Sequence, residues 1–314
     1  MDQVLEQNES GVPIRQLGET GLKVSIIGLG GGHLCRKHID EAASVRLVHT
    51  AIDEGLTFMD TAWEYYDGES ERRMGIALKG RRDKVVLMTK VCGRDRKAAE
   101  ENLHDSLQRL NTDVIDVWQF HEMNYDNDPD WVCGPDGALE AAVAARTAGK
   151  VRFIGFTGHK SPHILLNMLK QDFDWDTCQM PINVMDAHYR SFQNEVLPEL
   201  KRRGIGCIGM KSLGGDGQMI KAGLTPQQAR GYALSLPIST LVCGIESIAN
   251  LRQDLEIARN LTPMSEVEMN LLREQVHDQA TDGRNEWFKS TQYYDAATHR
   301  VQHGFPTFGT VDSQ

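Results

Sequence analysis

Phe58-Met59-Asp60-Thr61-Ala62-Trp63-Glu64-Tyr65-Tyr66 begins as a strand and then turns abruptly polar and aromatic. A helix-like segment, Asp40–Glu54, precedes it, and Thr57-Phe58-Met59 has the β-branched and apolar character of a strand. An acid stands where the apolar run ends, and a tyrosine follows five positions later. The same phase recurs downstream: the apolar run Lys84–Thr89 ends in Lys90, and Val114–Phe120 ends in His121. Singly, each has an ordinary explanation as a helix cap, a solvated charge or a satisfied core histidine. Together they recur at one phase of three successive strands. In a parallel barrel all strand C-termini point to one side, so Asp60, Tyr65, Lys90 and His121 are expected to converge there.

Outward from that stretch, short apolar strands alternate with amphipathic helices. Glu41–Glu54 carries Ala42, Val45, Val48, Ala51 and Ile52 on one stripe, and Glu69–Lys79 and Ala98–Leu110 read as the next helices. Helices follow at Gly137–Ala148, Ser161–Gln171, Gln193–Arg203, Thr225–Leu236 and Ala249–Arg259. Between them lie the strands Val151–Phe156, Thr177–Ile182, Ile205–Met210 and Ser239–Cys243. With Ser25–Leu29 as the first strand, the eight units predict an α/β fold, a single (β/α)8 TIM barrel occupying the whole chain, 1–314. Gly18-Glu19-Thr20-Gly21 between Pro13–Leu17 and Leu22–Ser25 signals an N-terminal β-hairpin. Met1–Val12 reads as a loose polar arm, and Ser265–Asp278 as an extra C-terminal helix. The tail, Gln279–Gln314, carries Trp287, Phe288, Tyr293, Tyr294, Phe305 and Phe308, which predicts packing over the barrel. The long polar loop Glu122–Asp136, holding Trp131, is expected to form part of a substrate wall.

The chain of 314 residues is 40% hydrophobic, enough for one large core. Its formal charge of −10, with no basic run, argues against a nucleic-acid partner. The start lacks a basic region followed by an apolar one, and no apolar stretch is long enough to span a bilayer. A cytoplasmic protein is expected. The six cysteines are scattered singly, which implies free thiols in a reducing compartment. Because Cys and His do not cluster at ligand spacings, no metal is expected. A metal-dependent barrel using His33, His121, His159 and Asp60 is the competing reading, but the acid, tyrosine, lysine and histidine explain the same positions without one.

Asp60-Thr61-Ala62 with Tyr65, then Thr89-Lys90, then Phe120-His121, together with Arg15–Ser25 and Gly149–Gly155, resemble the aldo-keto reductase family from about Pro13 to about Arg259. The resemblance implies hydride transfer between a nicotinamide cofactor, NAD(P)H, and a carbonyl or alcohol substrate: an aldehyde, a ketone or a sugar. Tyr65 would be the general acid. Lys90 would lower its pKa by favouring the phenolate, and Asp60 would anchor the lysine. His121 would donate to the substrate carbonyl, while Trp63, Tyr66 and Trp131 would wall the substrate. A cofactor-sensing subunit with little turnover is the alternative, although the four residues are intact.

Cofactor positions carry over less uniformly. The run Gly28–Gly32 lacks dinucleotide-fingerprint spacing and reads instead as a loop, with Gly30 and Gly31, that admits the cofactor closely. Thr157 and Gln179 match residues that hold the nicotinamide amide, Gly158 replaces the usual asparagine (so that one amide contact is absent or supplied by His159), and Met210 replaces a stacking aromatic ring. Lys211-Ser212-Leu213-Gly214-Gly215 would wrap the pyrophosphate. Gly244, Glu246, Ser247, Asn250 and Asp254 fall in the segment that meets the adenosine ribose. The usual lysine there is Gly244, the usual arginine is Asn250, and Glu246 adds negative charge. NAD(H) is therefore expected to serve at least as well as NADP(H).

Overall fold

The computed structural model describes residues 6–307. Two strands, β1 (Ile14–Gln16) and β2 (Lys23–Ser25), form the antiparallel hairpin. Eight parallel strands follow: β3 (Ile27–Gly30), β4 (Phe58–Asp60), β5 (Val86–Val91), β6 (Ile115–Phe120), β7 (Val151–Thr157), β8 (Thr177–Pro181), β9 (Gly206–Met210) and β10 (Thr240–Cys243). They pair in sequence order, and β10 closes on β3. The fold is thus a (β/α)8 barrel with an N-terminal hairpin.

Strand alternation divides the core. Phe58, Val86, Met88, Val117, Ile208 and Val242 point into the barrel, where Leu17 and Val24 of the hairpin close its floor. A larger cluster lies between strands and helices, with Leu29, Met59, Leu87, Trp118 and Ile154 facing Val48, Met74, Leu103, Ala141 and Leu165. The hairpin sits close to the barrel: a Cβ at Gly18 would lie 2.3 Å from the Gly206 nitrogen, and Arg15 donates to the carbonyls of Leu234 and Ile238.

Several segments differ from expectation for physical reasons. The helix expected over Gln193–Arg203 is two, Phe192–Glu195 and Leu197–Arg203, because Pro198 has no N–H to continue the first. Residues 6–12 are laced to the barrel: Ile14 N–H donates to the Glu6 carbonyl, Asn8 Nδ2 donates to the Gly55 carbonyl, and Val12 is fully buried. The loop after β6 contains a helix, Asp128–Cys133. Asp128 accepts from the backbone amides of Asn124 and Tyr125 and pairs with buried Arg94.

After the added helix Glu266–Ala280, the tail is ordered as Trp287–Ser290, a turn at Gln292–Tyr294 and a helix at Ala297–Gln302. Lys289 anchors it through Asp186 and Glu286, and Asp295 anchors it through His159 and Lys160. Phe308 lies outside the described residues. Among the described residues, no helix is long and apolar enough to cross a membrane.

Candidate active site

Asp60 is the last residue of β4, Lys90 lies one residue before the end of β5, and His121 directly follows β6. Register places Asp60 beside Met88, and Lys90 beside Gln119, so the three side chains rise at one level of the barrel mouth. The chain then turns back over them through Ala62–Tyr65. The Lys90 ammonium, 1% exposed, donates to Asp60 Oδ1 and, at 2.6 Å, to the Thr61 carbonyl; its distance to the Tyr65 hydroxyl is 3.5 Å. The rings of Tyr65 and His121 meet edge to face, 5.6 Å between centroids.

The electrostatics correct one expectation. Burial pushes the Tyr65 hydroxyl well above its ordinary value, and the carboxylates of Asp60, Glu64 and Glu122 add to the rise. Lys90 does not reverse this, because its charge is already matched by Asp60. Without cofactor, Tyr65 is a firmly protonated phenol. Burial, aided by the Lys90 charge, holds His121 neutral by lowering it well below the usual imidazole range.

Asp60 and Tyr65 line a cleft of about 920 Å³, Tyr65 and His121 line an inner pocket of about 250 Å³ that adjoins it, and Lys90 is buried behind them. Both spaces touch Glu64, Tyr65, Gln179, Met210, Lys211 and Tyr294. Gly30, Asp60, Ser212, Leu213, Gly244 and Glu246 line the cleft, while Thr157 lines the inner pocket. Of the expected substrate wall, Trp63 and Tyr66 line the cleft; Trp131 does not, since it packs edge-on against His303 of the tail.

Other expected cofactor residues lie elsewhere. Gly31 is pressed against β4: a Cβ there would stand 2.5 Å from the Asp60 carbonyl. Gly158 is equally confined, with Met123 O at 2.7 Å and Leu165 Cδ2 at 2.6 Å from its notional Cβ, so no asparagine fits there. His159, by contrast, lines the inner pocket, with its Nε2 held by Asn124 and Asp295. Ser247 caps the helix Ile248–Arg259 by accepting from Asn250 N–H, and both are exposed. Asp254 does not line the cleft but forms a two-pronged pair with Arg230, which does, and whose third nitrogen donates to Ser212 Oγ at 2.7 Å.

The cleft suits a nicotinamide dinucleotide in size and donors, because binding pockets of roughly 300–1,000 Å³ are usual for such ligands. The Gln179 side-chain oxygen is buried against it without a hydrogen-bond partner among the described residues, which fits the amide N–H of a nicotinamide carboxamide. Lys211 adopts φ +58°, a conformation that side chains rarely take, and extends over the rings of Tyr294 and Phe288.

Residues 26–233 match the family model described as aldo/keto reductase family. The chain belongs to that family. Among curated relatives of this aldo/keto reductase, YhdN of Bacillus subtilis is 31% identical over 59% of the chain and 57% of its own length. The 6-dehydroglucose reductase of Novosphingobium aromaticivorans is 30% identical over 70% and 74%, and the L-galactose dehydrogenase of Arabidopsis thaliana 30% over 64% and 66%. The chain therefore spans less than two thirds of the length of some of these relatives. The structure of aldo-keto reductase AKR11C1 from Bacillus halodurans shares the fold, with a TM-score of 0.72 at 24% identity over 84% of this chain and 96% of that one.

Sequence reasoning missed a second ring of polar residues in this aldo/keto reductase. Glu64 Oε1 lies 3.1 Å from His121 Nδ1. Glu122, at φ +52°, accepts from the Ala296 amide of the tail, and burial with the nearby Glu64 charge pushes its carboxyl up to about 8. At the cleft mouth Glu246 is ringed by His33 (2.7 Å), His38 (3.1 Å) and Arg36 (3.5 Å). Arg230, from the helix Pro226–Ser235, also lines the cleft.

Proposed function

We propose that this enzyme interconverts carbonyl compounds and alcohols with a nicotinamide cofactor, with Tyr65 as general acid and base. The observation that carries the reading is the buried Lys90 ammonium held between Asp60 and the Tyr65 hydroxyl, two residues that line the cleft. The cofactor, when bound, supplies or accepts the hydride. In reduction, Tyr65 gives its proton to the carbonyl oxygen as negative charge develops there, and its raised pKa keeps the proton loaded. Lys90, hydrogen-bonded to that hydroxyl, stabilises the phenolate that results. His121 holds the carbonyl oxygen against Tyr65.

The inner pocket brings Glu64, His121, Glu122, His159 and Lys211 around a small space, which favours hydroxyl-rich aldehydes and ketones, sugars among them, over plain hydrocarbons. Tyr65→Phe tests the mechanism. Turnover should fall by about 10²–10⁴-fold, the usual contribution of general acid–base help, while cofactor still quenches protein fluorescence. Near wild-type turnover would sink the assignment. Cofactor binding by the wild type without turnover across a carbonyl panel would instead favour a cofactor-sensing subunit.

The ribose segment favours NAD(H) at least equally with NADP(H). Positions 244 and 250 offer no cation, Arg252 is drawn to Glu54 at 3.1 Å, and Glu246 stands at the cleft. The ratio of kcat/KM for the two cofactors at fixed substrate checks this. A preference for NADPH of about a hundredfold, near 2.7 kcal/mol, would overturn it.

A further inference from the structure

Four donor side chains gather beside the barrel mouth, His121 among them. Glu64 comes from the loop after β4, Cys92 from just past β5, His121 from just past β6, and His299 from the tail helix Ala297–Gln302. One donor atom of each lies within 4.8 Å of the others. His121 Nδ1 is 3.1 Å from Glu64 Oε1, Cys92 Sγ is 3.6 Å from Glu64 Oε2, and Cys92 Sγ is 3.9 Å from His121 Nδ1. A tetrahedral zinc ion with bonds of about 2.0–2.3 Å sets its ligands about 3.3–3.7 Å apart, close to these separations, with Glu64 turning one oxygen to His121 and the other to Cys92.

The fourth residue supplies an independent sign. His299 is fully buried, and its Nδ1 is engaged by Gln302 Oε1 at 3.2 Å. Its Nε2 has no hydrogen-bond partner among the described residues, which is uncommon for a buried imidazole nitrogen. The ring stands edge-on to that of His121, 5.8 Å between centroids.

We propose that Glu64, Cys92, His121 Nδ1 and His299 bind one Zn²⁺ ion. One sulfur, two imidazoles and one carboxylate form a donor set of zinc type rather than of magnesium or calcium type. The charge also closes: a thiolate and a carboxylate balance the ion, and the neighbouring cations Lys90 and Arg94 are already paired with Asp60 and Asp128. On binding, the Cys92 thiol releases its proton to solvent and a Zn–S bond forms, with no change of oxidation state. Four protein ligands fill the tetrahedron, which makes the site a closed one. The residues are far apart in sequence, Cys92 standing 28 positions after Glu64 and His121 29 positions after Cys92, so ligand spacing does not reveal them.

The ion would fix two things. A neutral His121 that donates Nδ1–H to Glu64 presents a bare Nε2; a metal on Nδ1 leaves the proton on Nε2, the tautomer that can donate to a carbonyl oxygen. Because His299 belongs to the tail, the ion also ties that segment over the inner pocket. The first consequence rests on the role proposed above for His121; metal binding itself does not.

The experiment is spectroscopic and independent of turnover. Full-length, tag-free protein is dialysed against a chelator, checked for folding by circular dichroism, and titrated with Co²⁺ and then Zn²⁺. The expected result is one Co²⁺ per chain with tetrahedral d–d bands and a thiolate-to-cobalt charge-transfer band, both abolished by stoichiometric Zn²⁺. Cys92→Ser should remove the charge-transfer band, and His299→Ala should weaken binding at least tenfold. Folded wild-type protein that shows no thiolate band overturns the proposal whether or not the variants fold. So does a band that survives in Cys92→Ser.

Discussion

Replacing Lys289 with methionine tests how the tail is held over the active site. Lys289 is fully buried, and its ammonium donates to Asp186 at 2.7 Å, to Glu286 at 2.9 Å and to the Tyr189 carbonyl at 2.8 Å. Methionine fills similar space but leaves two buried carboxylates with no cation between them. Asp186 keeps the amides of Phe192 and Gln193 and the Ser191 hydroxyl; Glu286 keeps only Asn183. Breaking a buried pair from one side costs about 3–5 kcal/mol, and Glu286 bears most of it here.

The loss should depend on pH in a set direction. Burial pushes Glu286 up to about 7 even with Lys289 beside it. A carboxyl whose folded pKa is raised contributes stability below its unfolded pKa, and that contribution is lost as pH rises through the folded value. Without the ammonium, Glu286 holds its proton to higher pH still. The deficit of Lys289→Met should therefore be smallest near pH 6 and widen from about pH 7 to about pH 9. Urea unfolding followed by tryptophan fluorescence measures it. A loss below about 1 kcal/mol at about pH 8, or one that does not change with pH, would refute the reasoning. Adding Glu286→Gln should recover much of the loss.

Glu122→Gln should stabilise the protein relative to wild type increasingly as pH climbs from about 5 to about 8, by up to about 1.4 kcal/mol per pH unit, and level off beyond, because Glu122 is buried with its carboxyl raised to about 8; thermal unfolding across that range checks it, and equal slopes for the two proteins would contradict it. Gly158→Asn, which restores the family's usual residue, should cost about 1–3 kcal/mol by overpacking against Met123 and Leu165, and should not tighten cofactor binding. Denaturant midpoints and cofactor Kd measure both effects; a stable variant with tighter binding would show that the confinement at 158 has been misjudged.

What was legible in the sequence follows strand periodicity. Asp60, Lys90 and His121 could be placed because each ends or borders an apolar strand, and barrel geometry then fixes which way strand ends point. Glu64, Glu122 and His299 had no such handle: they come singly from loops and the tail, where no period relates them. Helix faces misled in a different way. Asn250 and Asp254 are four apart and share a face, yet Asn250 is exposed while Asp254 is 3% exposed. The far half of that helix packs on Pro226–Ser235, where Arg230 waits for Asp254, and only the tertiary arrangement shows the change of environment along the face.

Tyr65 carries the same lesson into chemistry. Its neighbours were readable, and an ammonium beside a phenol suggests a lowered pKa. The sequence identifies which charges can meet, but not how much water each has lost or which partner has already claimed it. Lys90 is matched by Asp60, and Glu64 and Glu122 face the same pocket, so burial and the carboxylates prevail and the phenol keeps its proton. That is the state a proton donor needs before a carbonyl is reduced. In the reverse direction Tyr65 must lose the proton, so oxidation of alcohols should gain more from rising pH than reduction does. Opposed pH–rate profiles for the two directions would carry that signature, and parallel ones would place the working proton on a group other than Tyr65.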